Sequence, residues 1–166
     1  MPTPDQPRHV LAVLVVDDSL DTAESEADLL AFQGHAVRVA LDGEEALRCV
    51  DAQAPDVVLL DIRLPGLDGY AVAQRIRERC AAIGKRPFIV AVTGCGNEVD
   101  RLRSAEAGFD LHLVKPVDPA LLIGVLERFR RLLAPSIPAA DLDQPTEEPP
   151  DEWPKALQLC LAPHLA

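Results

Sequence analysis

Val57-Val58-Leu59-Leu60-Asp61-Ile62-Arg63-Leu64-Pro65-Gly66-Leu67-Asp68-Gly69 decides how the rest of the chain is read. Four branched apolar residues run into an acid, and a Pro-Gly turn then leads to an Asp suited to capping a helix. An unbroken Val/Leu run of this length suits a strand buried on both faces of a parallel sheet. The pattern recurs three times. Val13-Leu14-Val15-Val16 meets Asp17-Asp18, Ile89-Val90-Ala91-Val92 meets Thr93-Gly94, and Leu111-His112-Leu113-Val114 meets Lys115-Pro116. Parallel sheets bind ligands outside the carboxyl ends of their strands. Three carboxylates, one hydroxyl and one ammonium are therefore expected in one pocket, a set suited to a small divalent cation and a phosphoryl group.

Helical segments separate these runs. The first strand is expected over residues 10–16. A helix over 19–33 follows, with Leu20, Ala23, Ala27, Leu30 and Ala31 on its inner face and Gly34 as its stop. A short strand at 36–40 precedes a helix that opens on Asp42-Gly43-Glu44-Glu45, which resembles a capping box, and runs to about Asp51. Asp68 caps a helix to about Arg79, and Asn97 caps one from Glu98 to about Ala107. Asp118-Pro119 starts the last helix, whose stripe is Leu122, Val125, Leu126, Phe129 and Leu133. Five β-α units in series predict an α/β fold, a parallel sheet with helices on both faces.

Composition narrows the function classes. The 166 residues are 48% apolar, enough for a core, and carry a net charge of −11. That charge disfavours nucleic acid and anionic membrane surfaces as partners. Residues 1–134 hold 15 Lys and Arg against 21 Asp and Glu, net −6; residues 135–166 hold 1 against 6, net −5 on a much shorter stretch. The expected organisation is a loose arm at 1–8, a folded domain at 9–134 and a tail at 135–166. Six prolines and six acids in residues 135–154 make that part of the tail an expected disordered linker. Residues 153–162, with the sole Trp and a leucine cluster, suit either a short helix or a strand-like segment. Cys49, Cys80, Cys95 and Cys160 are scattered, as expected of reduced thiols in a cytoplasmic protein. The four histidines suggest no zinc site, and the first apolar run is too short to span a bilayer.

Each site residue has a bland reading beside the chemical one. Asp18 can simply cap a helix, Asp61 can be a structural carboxylate, and Thr93 and Lys115 can be an ordinary strand residue and a surface lysine. Together at one sheet edge they mean more. Adjacent acids repel unless a cation compensates them, and Mg2+ takes carboxylate, phosphate and water oxygens. A carboxylate can attack phosphorus to give an acyl phosphate. A hydroxyl beside a glycine and a point positive charge can hold the phosphoryl oxygens. The Lys115-Pro116 bond is open to either isomer.

In this order and spacing the motifs resemble the receiver domain of two-component response regulators, in the stand-alone form of a chemotaxis regulator. The resemblance covers about residues 9–133. It implies a flavodoxin-like fold with strand order 2-1-3-4-5. It also implies that Asp61 accepts a phosphoryl group from a sensor histidine kinase or a histidine phosphotransfer protein. Mg2+ would be held directly by Asp18, Asp61 and the Arg63 carbonyl, and by Asp17 through water. Thr93 and Lys115 would hold the phosphoryl group. Thr93 and residue 112 would form the switch, although His112 stands where the family commonly has Tyr or Phe, and an imidazole titrates as well as rotates. Arg63 and Cys95, two residues beyond Asp61 and Thr93, would tune the lifetime of the phosphorylated state.

Residues 135–166 are expected to house no DNA-binding or catalytic output module. Output is then by protein contact, including a phosphorylation-dependent homodimer through the fourth helix, fifth strand and fifth helix, where Leu121 and Ile123 would extend an apolar patch. No enzymatic activity is expected beyond the domain's own phosphorylation and dephosphorylation. A competing reading is an interaction module that ignores phosphate. A nucleotide or flavin enzyme of the same architecture is disfavoured, since neither G-x-G-x-x-G nor a P-loop is present.

Overall fold

A computed structural model describes residues 9–94 and 98–133, without the side chains of 98–101. The elements are β1 (Ala12–Val16), α1 (Leu20–Phe32), β2 (Ala36–Ala40), α2 (Gly43–Ala52), β3 (Val57–Leu60), α3 (Gly69–Ala82), β4 (Phe88–Thr93), α4 (Glu98–Glu106), β5 (Leu111–Val114) and α5 (Pro119–Leu133). The five strands are parallel in the order β2-β1-β3-β4-β5. This is the doubly wound, flavodoxin-like topology expected from the alternation of apolar runs.

The apolar runs are unbroken because both sheet faces are covered. Leu14, Val16, Val58, Leu60, Ile89 and Ala91 pack with the α2 and α3 residues Leu47, Val50, Val72 and Ile76. Val13, Val15, Val57, Leu59, Val90 and Val92 pack instead with Ala23 and Leu30 of α1 and Leu122, Val125 and Leu126 of α5. Successive strand residues point to opposite faces, so each run feeds two cores in turn.

Helix starts follow the capping chemistry. Ser19, Asp42 and Asp68 accept from the backbone N–H of Thr22, Glu45 and Ala71, satisfying donors the first turn leaves open. Glu45 also accepts from Leu41 N–H at 2.8 Å. Asn97, the expected cap of α4, lies outside the described residues, as do the arm at 1–8, Cys95, Cys160 and the tail at 135–166.

Several expectations are corrected. β1 begins at Ala12, not at Val10, which is exposed. Of the expected inner face of α1, Ala23 and Leu30 are buried, but Leu20 and Ala31 are exposed. Leu29, on the same side, packs partly against the core. α3 runs on past Arg79 to Ala82 because Cys80 is buried in the core and Gly84, at φ +70°, makes the turn. On α5, Phe129 stacks on Phe88 with ring centroids 5.0 Å apart, but Leu133 is exposed. Leu121 packs partly against the core, and Leu121 and Ile123 are both half-buried rather than fully exposed. Cys49 and Cys80 are free thiols. Among the described residues no helix is long and apolar enough to cross a membrane.

Candidate metal and phosphoryl site

Register places the site. Val16 lies level with Leu60, so the next residues, Asp17 and Asp61, emerge side by side at the carboxyl edge. Backbone bonds hold them there: Asp17 N–H donates to Ala40 O at 3.1 Å and Asp61 N–H to Val16 O at 2.8 Å. Thr93 ends β4 opposite Val114, and its carbonyl accepts from Lys115 N–H at 2.8 Å. The Lys115-Pro116 bond is cis.

Side chains converge as the sequence suggested. Ligand oxygens of Asp17, Asp18 and Asp61 all lie within 4.8 Å of one another. Asp17 and Asp61 are buried and Asp18 is exposed. Lys115 Nζ donates to Asp17 Oδ2 at 2.5 Å and to Asp61 Oδ2 at 2.8 Å. The other oxygens are also held: Asp17 Oδ1 accepts from Ser19 N–H at 2.9 Å, and Asp61 Oδ1 from Arg63 N–H at 2.9 Å. Three carboxylates face one ammonium, a formal surplus of two negative charges. Hard oxygen donors with excess negative charge, one of them open to solvent, fit a divalent cation such as Mg2+.

Burial works to lower the pKa of Lys115, but its hydrogen bonds to Asp17 and Asp61, and their charge, outweigh this and hold it above the ordinary lysine value. Arg63 is exposed on the loop after β3, where its backbone already serves Asp61. Thr93 is 1% exposed at the strand end. Parity puts Thr93 and His112 on the same sheet face, the one that α4 covers, with His112 level with Ala91. His112 Nδ1 shares a 3.0 Å hydrogen bond with Ser104 Oγ of α4.

Two residues near the site, Ser104 and Glu26, escaped the sequence reading, and a third, Gly69, stood in the motif without an assigned role. Ser104, buried to 1%, ties α4 to the expected switch position. Gly69 lies so close to the β3–α3 loop that a Cβ there would meet Asp61 O at 2.5 Å and Ile62 Cα at 2.6 Å. Glu26 of α1 lines an open cleft of about 660 Å3 with Lys115 and Pro116. Burial and the Asp17 carboxylate push Glu26 up to about 7, with Asp61 adding to the rise and Lys115 opposing it. Glu26 falls three residues after Ala23 and four before Leu30, an acid on the inner stripe, which was a legible signal.

Fold and site together define a receiver. Residues 13–127 match the response regulator receiver domain family, and the chain belongs to that family. It is 40% identical over 107 residues to the probable transcriptional regulator ycf27 of Guillardia theta, covering 64% of this chain and 40% of that protein. It is 36% identical over 126 residues to response regulator MprA of Mycolicibacterium vanbaalenii, covering 76% of this chain and 52% of the relative. The chain thus spans about half the length of these regulators. Among solved structures, the BeF3-activated DrrB receiver domain aligns with a TM-score of 0.66 at 29% identity, over 74% of this chain and 98% of that one. The Vibrio cholerae chemotaxis protein CheY4 aligns at 0.67 and 28% identity, over 72% and 98%.

Proposed function

We propose that the chain is a phosphorylation-dependent signalling switch in which Asp61 accepts a phosphoryl group from a phosphohistidine of a sensor histidine kinase or phosphotransfer protein. A carboxylate oxygen of Asp61 forms the new P–O bond as the P–N bond to the donor imidazole breaks, and the imidazole takes up a proton. The observation that carries this reading is Lys115 bridging Asp17 and Asp61, with a third carboxylate oxygen within 4.8 Å. Phosphoryl transfer is chiefly positioning and charge neutralisation, and these residues supply both.

Asp18 and Asp61, with the Arg63 carbonyl and with Asp17 through water, are the residues that would hold Mg2+, whose charge would offset that on the phosphoryl oxygens. Lys115 neutralises the opposite side, and the Thr93 hydroxyl donates to a phosphoryl oxygen. Movement of Thr93 toward that oxygen frees space on the face it shares with His112, and the Ser104–His112 link carries the change to α4. Leu102 of α4 and Val114 of β5 are exposed on that side, which supports the α4–β5–α5 face as the contact surface for a downstream protein or a second copy. Arg63 and Cys95, two residues beyond Asp61 and Thr93 in the sequence, would set the lifetime of the acyl phosphate. The domain then catalyses nothing beyond its own phosphorylation and dephosphorylation.

Intact-mass measurement after incubation with acetyl phosphate and Mg2+ tests this. One added phosphoryl group is expected for the wild type and none for Asp61→Asn. Equal labelling of both would overturn the assignment, and no labelling of the wild type would favour a module that works without phosphate.

A further inference from the structure

The cleft beside the site has an apolar floor and an acidic wall. Leu29 of α1, Pro116 and Val117 of the loop after β5, and Pro119 and Leu122 of α5 supply apolar lining, and Asp21 and Glu26 stand on the α1 side. Its volume of about 660 Å3 suits a few large side chains. Part of the chain beyond α5 is built to match. Trp153, Leu157 and Leu161 recur every fourth residue, a spacing that would set them on one face if the segment is helical, with Ala156 and Cys160 beside them. Lys155 is the only Lys or Arg after residue 131, and residues 153–161 contain no acid.

Charge and reach agree with this pairing. The chain leaves α5 at Leu133, and α5 starts at the cleft, so the return path is one helix length. Fifteen residues of α5 span about 22 Å at 1.5 Å each. The 19 residues from 134 to 152 have a root-mean-square span of about 24 Å as a flexible coil, and their prolines lengthen it. Tethered binding is strongest when linker and gap match in this way. Those residues carry six acids and no Lys or Arg, and they would pass the end of α5 that bears Arg128, Arg130 and Arg131. The apolar segment with Lys155 then meets the side of the cleft that bears Asp21.

We infer that residues 153–161 dock intramolecularly in the α1–α5 cleft, with Trp153, Leu157 and Leu161 against Leu29, Pro116 and Val117. Docking there places the segment beside Lys115 and Pro116, which line the same cleft. Docking itself does not depend on phosphorylation: Trp153 emission reads the one, and acetyl phosphate labelling reads the other.

Trp153 is the sole tryptophan, so its fluorescence in the full chain reports only on this segment. The expected emission is blue-shifted from that of a free peptide of residues 150–166, and independent of protein concentration. Ser25→Arg puts a long cation into the cleft from an exposed position of α1, and should move the emission to the peptide value. The double variant Leu157→Asp, Leu161→Asp should do the same while leaving the thermal transition of the domain in place. A wild-type emission equal to that of the peptide overturns the inference. So does a blue shift that Ser25→Arg leaves intact, which would place the segment on another surface. A shift that grows with concentration assigns the cleft to the tail of a second copy and overturns the intramolecular form.

Discussion

Lys115 is what allows Asp17 and Asp61 to be buried together. Its ammonium bonds both carboxylates, yet Asp18 and the half-buried Glu26 leave the region over-supplied with negative charge. Glu26 shows the consequence. Its pKa rises from 4.5 to about 7 on folding. Between these values the unfolded chain releases the proton that the folded chain retains, so Glu26 lowers stability progressively as pH rises through this window and by a constant amount above it. Glu26→Gln should therefore match the wild type in Tm at about pH 4 and exceed it at about pH 8, measured in EDTA. A Tm difference independent of pH would show that Glu26 is not held protonated. The residues that bear the proposed chemistry were legible because each follows an apolar run. Glu26 was missed because α1 carries several acids, and only its position on the inner stripe distinguishes it.

At the scale of elements, the site depends on two contacts that no motif spells out. Gly69 starts α3 in contact with the backbone of the loop from Asp61, and its own N–H donates to Ile62 O at 2.9 Å. A methyl group at this position must displace backbone, so Gly69→Ala should cost about 3 kcal/mol in urea unfolding. It should also weaken Mg2+ binding, because the displaced loop carries Asp61. Retention of both stability and Mg2+ affinity would contradict the close packing. The second contact is Ser104 with His112. Ser104→Ala should cost about 1 kcal/mol and speed amide exchange in α4 more than in α3; equal change in both helices would deny α4 a specific tie to β5. The sequence showed where nearly every element lies but not how the helices seat on the sheet. Leu20, Ala31 and Leu133 fit a helical stripe and are exposed all the same, because which turns meet the sheet depends on where each helix crosses it.

For the whole molecule, topology was the most legible feature. Alternating apolar runs and capped helices left one economical arrangement, and the carboxyl edge of that sheet gathered the polar residues that follow the runs. The interaction surfaces were less legible. Leu121 and Ile123, expected to extend an apolar patch, are half-buried, and among the described residues Leu102 and Val114 are exposed on α4 and β5. The central claim concerns a single covalent bond, between Asp61 and phosphorus. Borohydride reduces an aspartyl phosphate to homoserine, so peptide mass spectrometry of the acetyl phosphate-treated, borohydride-reduced chain locates that bond. Homoserine at position 61, in the Mg2+-containing sample and not in one with EDTA, is the predicted result. Homoserine at position 17 or 18, or no reduction product in a chain that binds Mg2+, would contradict it.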